Sequence, residues 1–134
     1  MHAGKDLAAL IGRIMLALIF VASGFNKIGG FAGTAAALAG KGLPLPEVLV
    51  VATVALELAG SLAIIAGWKT RWGAAALLLF TVLATVMFHN FWAAAPDQMQ
   101  MQQTHFMKNL AIMGGLLVLW AFGPGRYALE RQRR

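Results

Sequence analysis

Four stretches of the chain, residues 7–25, 48–68, 72–92 and 106–122, are apolar or small at nearly every position, and polar residues collect between them. A helix rises ~1.5 Å per residue, so ~20 residues cross a ~30 Å hydrocarbon core. The first three stretches have that length. The fourth is slightly short and starts with polar residues, a mismatch that a bilayer absorbs. None alternates strictly between apolar and polar positions, which argues against barrel strands. The pattern predicts an all-α, polytopic, antiparallel four-helix membrane bundle. Its helices fall at about 7–27, 47–68, 71–92 and 105–122, in a single transmembrane domain closed by a basic tail at 123–134.

The connections refine this outline. Lys69-Thr70-Arg71 is a very short turn, so the second and third helices are antiparallel neighbours. No glycine ends the third helix; "AAAPDQMQMQQT", residues 93–104, reads as a polar loop with Pro96 as its breaker. The linker at 26–47 contains "FAGTAAALAGKGLPLPE", in which Phe31, Ala35, Leu38 and Ala39 share one face of a short helix lying at the membrane interface. The alternative is a plain surface linker. "GKGLPLP" breaks this segment, and Pro46-Glu47 suits the first turn of the next helix.

Composition agrees with a lipid environment. Hydrophobic residues make up 60% of the 134 and charged residues 12%, against about 45–50% and about 25% in soluble domains. The first stretch is read as a retained span rather than a cleaved leader, because the rest of the chain is itself membrane-like. There are no cysteines, which excludes disulfide, thiol-redox and zinc-thiolate roles for this chain.

The net charge is +6, and its distribution sets an expected orientation. With both termini on one side, that side holds Lys5, Arg13, Lys69, Arg71, Arg126, Arg131, Arg133 and Arg134; the other holds Lys27, Lys41 and Lys108. The positive-inside rule makes the first side cytoplasmic. Trp68, Trp72 and Trp120 then mark the inner interface and Trp92 the outer one. The basic end "RYALERQRR" is read as a topology or headgroup signal, not a nucleic-acid site.

Two charges interrupt the apolar stretches. Glu57 lies ten residues from Gly67, ~15 Å deep, and Arg13 lies ~10 Å deep counted from Asp6. An isolated charge in lipid costs ~3 kcal/mol or more, and a hydrogen-bonded pair between helices is cheaper. The expectation is an ion pair between Arg13 and Glu57. The alternative is that Arg13 snorkels to the headgroups while Glu57 holds a proton of its own. Ala55, Ala59, Ala63 and Gly67 recur every four residues, a small-residue row that lets helices close up in lipid. Ala111 and Gly115 repeat it in the fourth helix. Ser61, one turn from Glu57, is a candidate donor to it.

Asn26, Lys27, His89, Asn90, Lys108 and Asn109 gather at the opposite end of the helices. Lys27, Glu57, Ser61, His89, Asn90 and Asn109 form the candidate ligand pocket, in which Lys27 holds an anion or the carbonyl oxygen of a quinone-type molecule. The bland reading is that helix ends are polar because water and headgroups lie there. His89, His105 and Asp97 match no metal-ligand spacing, so no metal site is assigned. No nucleophile elbow, Walker loop, dinucleotide fingerprint or haem sequence is present, and no self-contained catalytic motif emerges.

Several short signals, in order, carry a resemblance: Arg13 in the first helix, "SGFNKIGGF", "GLPLP", Glu57 in "ELAGSLAIIAG", "GWKTRWGA", "FHNFW", "KNLAIMGGLL" and "FGPGRYAL". In these the chain resembles the DoxX family of small bacterial inner-membrane proteins. The resemblance implies a four-helix membrane domain. It also implies an accessory or anchoring role in a redox or oxidative-stress complex, because some relatives are linked to thiosulfate:quinone oxidoreduction. On that reading the partners are the lipid bilayer, a soluble redox enzyme at the cytoplasmic face and further copies of the chain, and the cofactor is a quinone held in the polar pocket. The competing readings are a small-molecule or proton-linked transport module and a purely structural membrane protein.

Overall fold

The computed structural model describes residues 2–130, all helix and connecting turns, with no strand among them. The helices are α1 (His2–Gly29), α2 (Phe31–Gly40), α3 (Pro46–Ala66), α4 (Thr70–Phe88) and α5 (Met99–Phe122), with a single 3-10 turn at Phe91–Ala93. α1, α3, α4 and α5 are each long and apolar enough to cross a membrane, counting the 3-10 turn with α4. Met15, Leu18, Leu62, Leu79, Leu83, Leu117 and Val118 are all more than half exposed. In water such a belt would be an aggregation surface; around a bundle of spans it is the face that lipid covers. The chain is a four-helix membrane bundle.

Two boundaries differ from the sequence expectation for one reason. α1 starts at His2 and α5 at Met99, five and six residues early. Ala, Leu, Lys, Gln and Met are good helix formers, so the helices continue past the point where hydropathy fades. Pro96 limits α5, and nothing after it does, so the polar loop is shorter than expected. α4 stops at Phe88 rather than 92, and the 3-10 turn carries the remaining aromatics. At the other end of α4, Gly67 takes φ +69° at the end of α3, and the Trp68 N–H bonds back to the Ala63 carbonyl at 3.0 Å.

Neighbours pack antiparallel in the order α1, α3, α4, α5, and α1 meets α5 only sparingly. Ala17, Phe20, Ile64, Ala74, Leu77 and Leu116 form the core where all four meet. The close approach runs between α3 and α4: a Cβ on Gly73 would sit 3.0 Å from the Gly60 carbonyl oxygen. Of the expected row, Ala63 joins this contact, its Cβ 3.3 Å from the same point, whereas Ala55 and Ala59 are exposed and the buried face runs through Gly60, Ser61 and Ile64. Gly115 does serve its expected purpose, lying against Leu16 of α1.

The short helix expected between the first two spans is α2. It packs Ala35 and Leu38 against Val50, with Leu43, Leu49, Val54 and Phe88 around them. Phe31 and Ala39, expected on the same face, are exposed. α2 occupies the end of the bundle where α1 finishes. At the opposite end, residues 123–130 do not trail away as a tail. They fold back as a strap: the Leu129 and Glu130 N–H groups donate to the carbonyls of Ala66 and Gly67 at 3.1 and 2.8 Å, and Gly125 lies against Ala9. Residues 131–134 of the predicted basic tail lie outside the described residues.

Candidate functional site

α1 and α3 come together at Gly24, where a Cβ would lie 2.7 Å from Leu58. This contact sets the register one turn on. Ser23 and Lys27 are four residues apart and share the face of α1 that looks at α3. Lys27 Nζ donates to Glu57 Oε1 at 2.6 Å and to Ser23 Oγ at 3.0 Å; Ser23 Oγ donates to the same Glu57 oxygen at 3.1 Å. The Glu57 side chain is 1% exposed and that of Lys27 is 23% exposed. The ammonium also lies 5.2 Å from the centre of the Phe80 ring, on whose π-cloud a cation is favoured. Lys27 and Glu57 form the one salt bridge among the described residues. Glu57 Oε2 has no hydrogen-bond partner.

The partner expected for Glu57 was Arg13, and the two are not paired. Arg13 is buried, and its guanidinium donates to the carbonyls of Pro124, Tyr127 and Ile65 at 2.5, 2.6 and 3.2 Å. The reason is register. Arg13 stands opposite Ile65 and Gly67, two turns beyond Glu57, because α1 begins at His2 and overhangs the end of α3 by ~16 Å. There Arg13 hydrogen-bonds to backbone carbonyls, with the Glu130 carboxylate of the strap near it but not paired to it. Ile65 lies in the last turn of α3, whose carbonyls have no helical partner, and the strap supplies the other two.

Between the helices, at the end of the bundle that α2 covers, lies a cavity of about 750 Å³. Glu57 and Lys27 form one wall; Phe20, Phe80, Phe88 and Ile112 line it with apolar surface; α2 contributes Gly33, Thr34 and Leu38. His89, Lys108 and Asn109 stand around it from α4 and α5. Asn109 Nδ2 donates to Thr85 Oγ1 at 3.0 Å, which ties the middle of α5 to α4. His89 Nδ1 lies 2.8 Å from Gln102 Oε1, and its ring stacks on His105 with centroids 4.9 Å apart. The volume is within the ~300–1,000 Å³ of small-molecule sites, and a mostly apolar lining with a few convergent polar groups is their usual chemistry.

Of the six residues expected in the pocket, the structure brings four together: Lys27, Glu57, His89 and Asn109. Ser61 does not join them. It is fully buried and donates to the Leu58 carbonyl of its own helix at 3.1 Å, pointing its hydroxyl back along the backbone rather than at Glu57. Asn90 does not line the cavity either; it starts the 3-10 turn. Ser23 and Phe80 were missed. The spacing of Ser23 and Lys27 was a usable signal, since both fall on the helix face that Gly24 brings to α3. No group of three metal-ligating side chains occurs among the described residues.

Comparison with known proteins follows the same lines. The chain is 37% identical to the inner membrane protein YqjF of Escherichia coli over 95% of its own length and 92% of that protein's. It is 33% identical to the inner membrane protein YphA of the same organism, over 97% and 93%. A more distant similarity, 24% identity over 97% of this chain but 35% of the relative, is to an ER-derived vesicles protein of Saccharomyces cerevisiae. No solved structure matches. The sequence model of the DoxX family matches residues 8–90, which hold the Lys27–Glu57 pair, α2 and most of the cavity wall. With four spans and two near-full-length inner-membrane relatives, the chain is a multi-pass inner-membrane protein and belongs to the DoxX family.

Proposed function

We propose that this protein is a ligand-binding accessory subunit of a membrane redox or oxidative-stress system, and that its cavity takes a small, largely apolar molecule of quinone type. The observation that carries this reading is the placement of the Lys27–Glu57 pair, its carboxylate buried, in the wall of a 750 Å³ apolar cavity. A salt bridge needed only for packing has no use for an adjacent space of that size. Lys27 is partly exposed and has three donor hydrogens, so it can serve Glu57, Ser23 and a ligand oxygen at once. The aromatic walls at Phe20, Phe80 and Phe88 suit a flat ring.

Orientation is part of the proposal. The end bearing the Lys69–Thr70 turn and the strap faces the cytoplasm, where Lys69, Arg71 and Arg126 offer a basic surface to a soluble enzyme. The cavity then opens in the outer half of the membrane. Photolabelling with an azido-quinone in nanodiscs tests the ligand. Label should fall on residues 19–27, 80–89 and 108–112, saturate, and be lost in Lys27→Met. Unsaturable label spread over Leu62, Leu83 and Val118 would mean a lipid-exposed surface is being read instead of a site.

A second reading rests on one observation, the unpartnered Oε2 of Glu57. A buried carboxyl oxygen free of protein donors is available to take up a proton, which fits a proton-linked transport module. Proton-coupled uptake in proteoliposomes that survives Glu57→Gln unchanged removes it.

A further inference from the structure

The charges around the cavity do not balance. Lys27, Lys108 and Glu57 are the ionised groups that line it, and Lys27 is neutralised by Glu57 at 2.6 Å. Lys108 has no ion-pair partner among the described residues. It follows His105 by three positions on α5, so the two side chains are neighbours on the helix surface. His105 is stacked on His89, a second cavity-lining residue. Two imidazoles and an ammonium are thus gathered at one rim with no carboxylate lining the cavity beside them. Lys108 therefore stands at this rim as an ammonium without a counter-charge among the described residues, beside imidazoles that can share hydrogen bonds, and an opposite charge at the edge of an apolar space is what it attracts.

We infer that the molecule this cavity takes carries an anionic head, held at Lys108 and His89, on an apolar body that extends inward along Phe88, Phe80 and Ile112 to the Lys27–Glu57 pair. This rests on the cavity's being a ligand site and specifies what enters it. A free aromatic or aliphatic acid and an anionic phospholipid share this chemistry.

The test compares 4-octylbenzoate with its methyl ester, which has the same body and no charge, by calorimetry in nanodiscs of zwitterionic lipid at pH 7.5. The acid should bind at least tenfold more tightly than the ester. Lys108→Gln should bring the acid down to the ester and leave the ester unchanged; Lys108 is exposed, so this variant folds, as its elution volume will show. Equal binding of acid and ester, or a preference that survives Lys108→Gln, overturns the anionic head while leaving the cavity a ligand site. Failure of both compounds, together with failure of azido-quinone labelling, overturns the cavity as a site and this inference with it. A parallel series in nanodiscs containing phosphatidylglycerol separates the two sources. If phosphatidylglycerol lowers both acid and ester binding to the wild type and leaves ester binding to Lys108→Gln unchanged, the anionic occupant is the lipid; unchanged acid binding makes it the free acid.

Discussion

The two buried charges of the spans are held in different ways. Arg13 is gripped by three backbone carbonyls, from α3 and the strap, at the crowded end of the bundle. Glu57 is held by two side chains of α1, one of which is itself partly exposed, beside open space. A charge satisfied by backbone has its surroundings fixed by the fold. A charge satisfied by a side chain has surroundings that can be rearranged, because Lys27 swings on four single bonds and a peptide carbonyl does not. The first arrangement suits architecture and the second suits exchange of partners.

This contrast can be broken by substitution. The largest effect expected is Arg13→Leu, which strands three carbonyls and unties the strap. Hydrogen bonds from charged donors contribute about 1.5–3 kcal/mol each, so a loss of ~3 kcal/mol or more is expected in SDS-titrated unfolding, with ligand affinity of the folded fraction unchanged. An altered affinity would mean Arg13 belongs to the site after all. Next comes Glu57→Leu, which leaves Lys27 without its counter-charge. Removing one partner of a fully buried pair costs about 3–5 kcal/mol, and the partial exposure of Lys27 lowers that to ~2 kcal/mol here. Lys27→Met added to Glu57→Leu should restore most of that stability while ligand binding stays lost. A double variant as unstable as the sum of the singles would show that the pair is needed for folding and erase the contrast.

Smaller effects sharpen it. Gly67→Ala places a Cβ against Ala128 at a residue with φ +69°, and should cost about 1–2 kcal/mol through backbone conformation and a displaced strap. Thermal unfolding in detergent reads this directly; no loss would mean that the strap is not seated on the α3–α4 turn. Ser61→Ala should change stability by less than ~0.5 kcal/mol, since its hydroxyl only bonds back to its own helix, and should leave ligand binding untouched. A binding defect there would restore Ser61 to the pocket.

The spans were legible because length and hydropathy decide them, and α2 because breakers frame it on both sides. Lys27, His89 and Asn109 were legible as cavity neighbours because polar side chains at one end of the spans must come near one another, and Glu57 because a carboxylate within a span has to face the bundle. The pairing of the charges was not. Depth counted from Asp6 assumes that helix ends lie level, and the overhang of α1 depends on where the strap folds, which no local pattern in "FGPGRYALE" reveals. A count made instead from Gly24, the small residue that touches Leu58, would have placed Ser23 and Lys27 beside Glu57. Ser61 misled because sharing a helix side with Glu57 says nothing about where a hydroxyl rotates.

The strap has a consequence for biogenesis. Arg13 is translated early, and two of its three acceptors, Pro124 and Tyr127, emerge more than a hundred residues later. Until then the first span carries a guanidinium with most of its hydrogens unanswered by protein, free to lean on lipid phosphates or water. The segment that locks α1 is therefore made more than a hundred residues after it, so α1 cannot be closed in the bundle as it is inserted, and a chain halted before residue 123 presents an open α1 that membrane quality control can tell from one that has gained the strap.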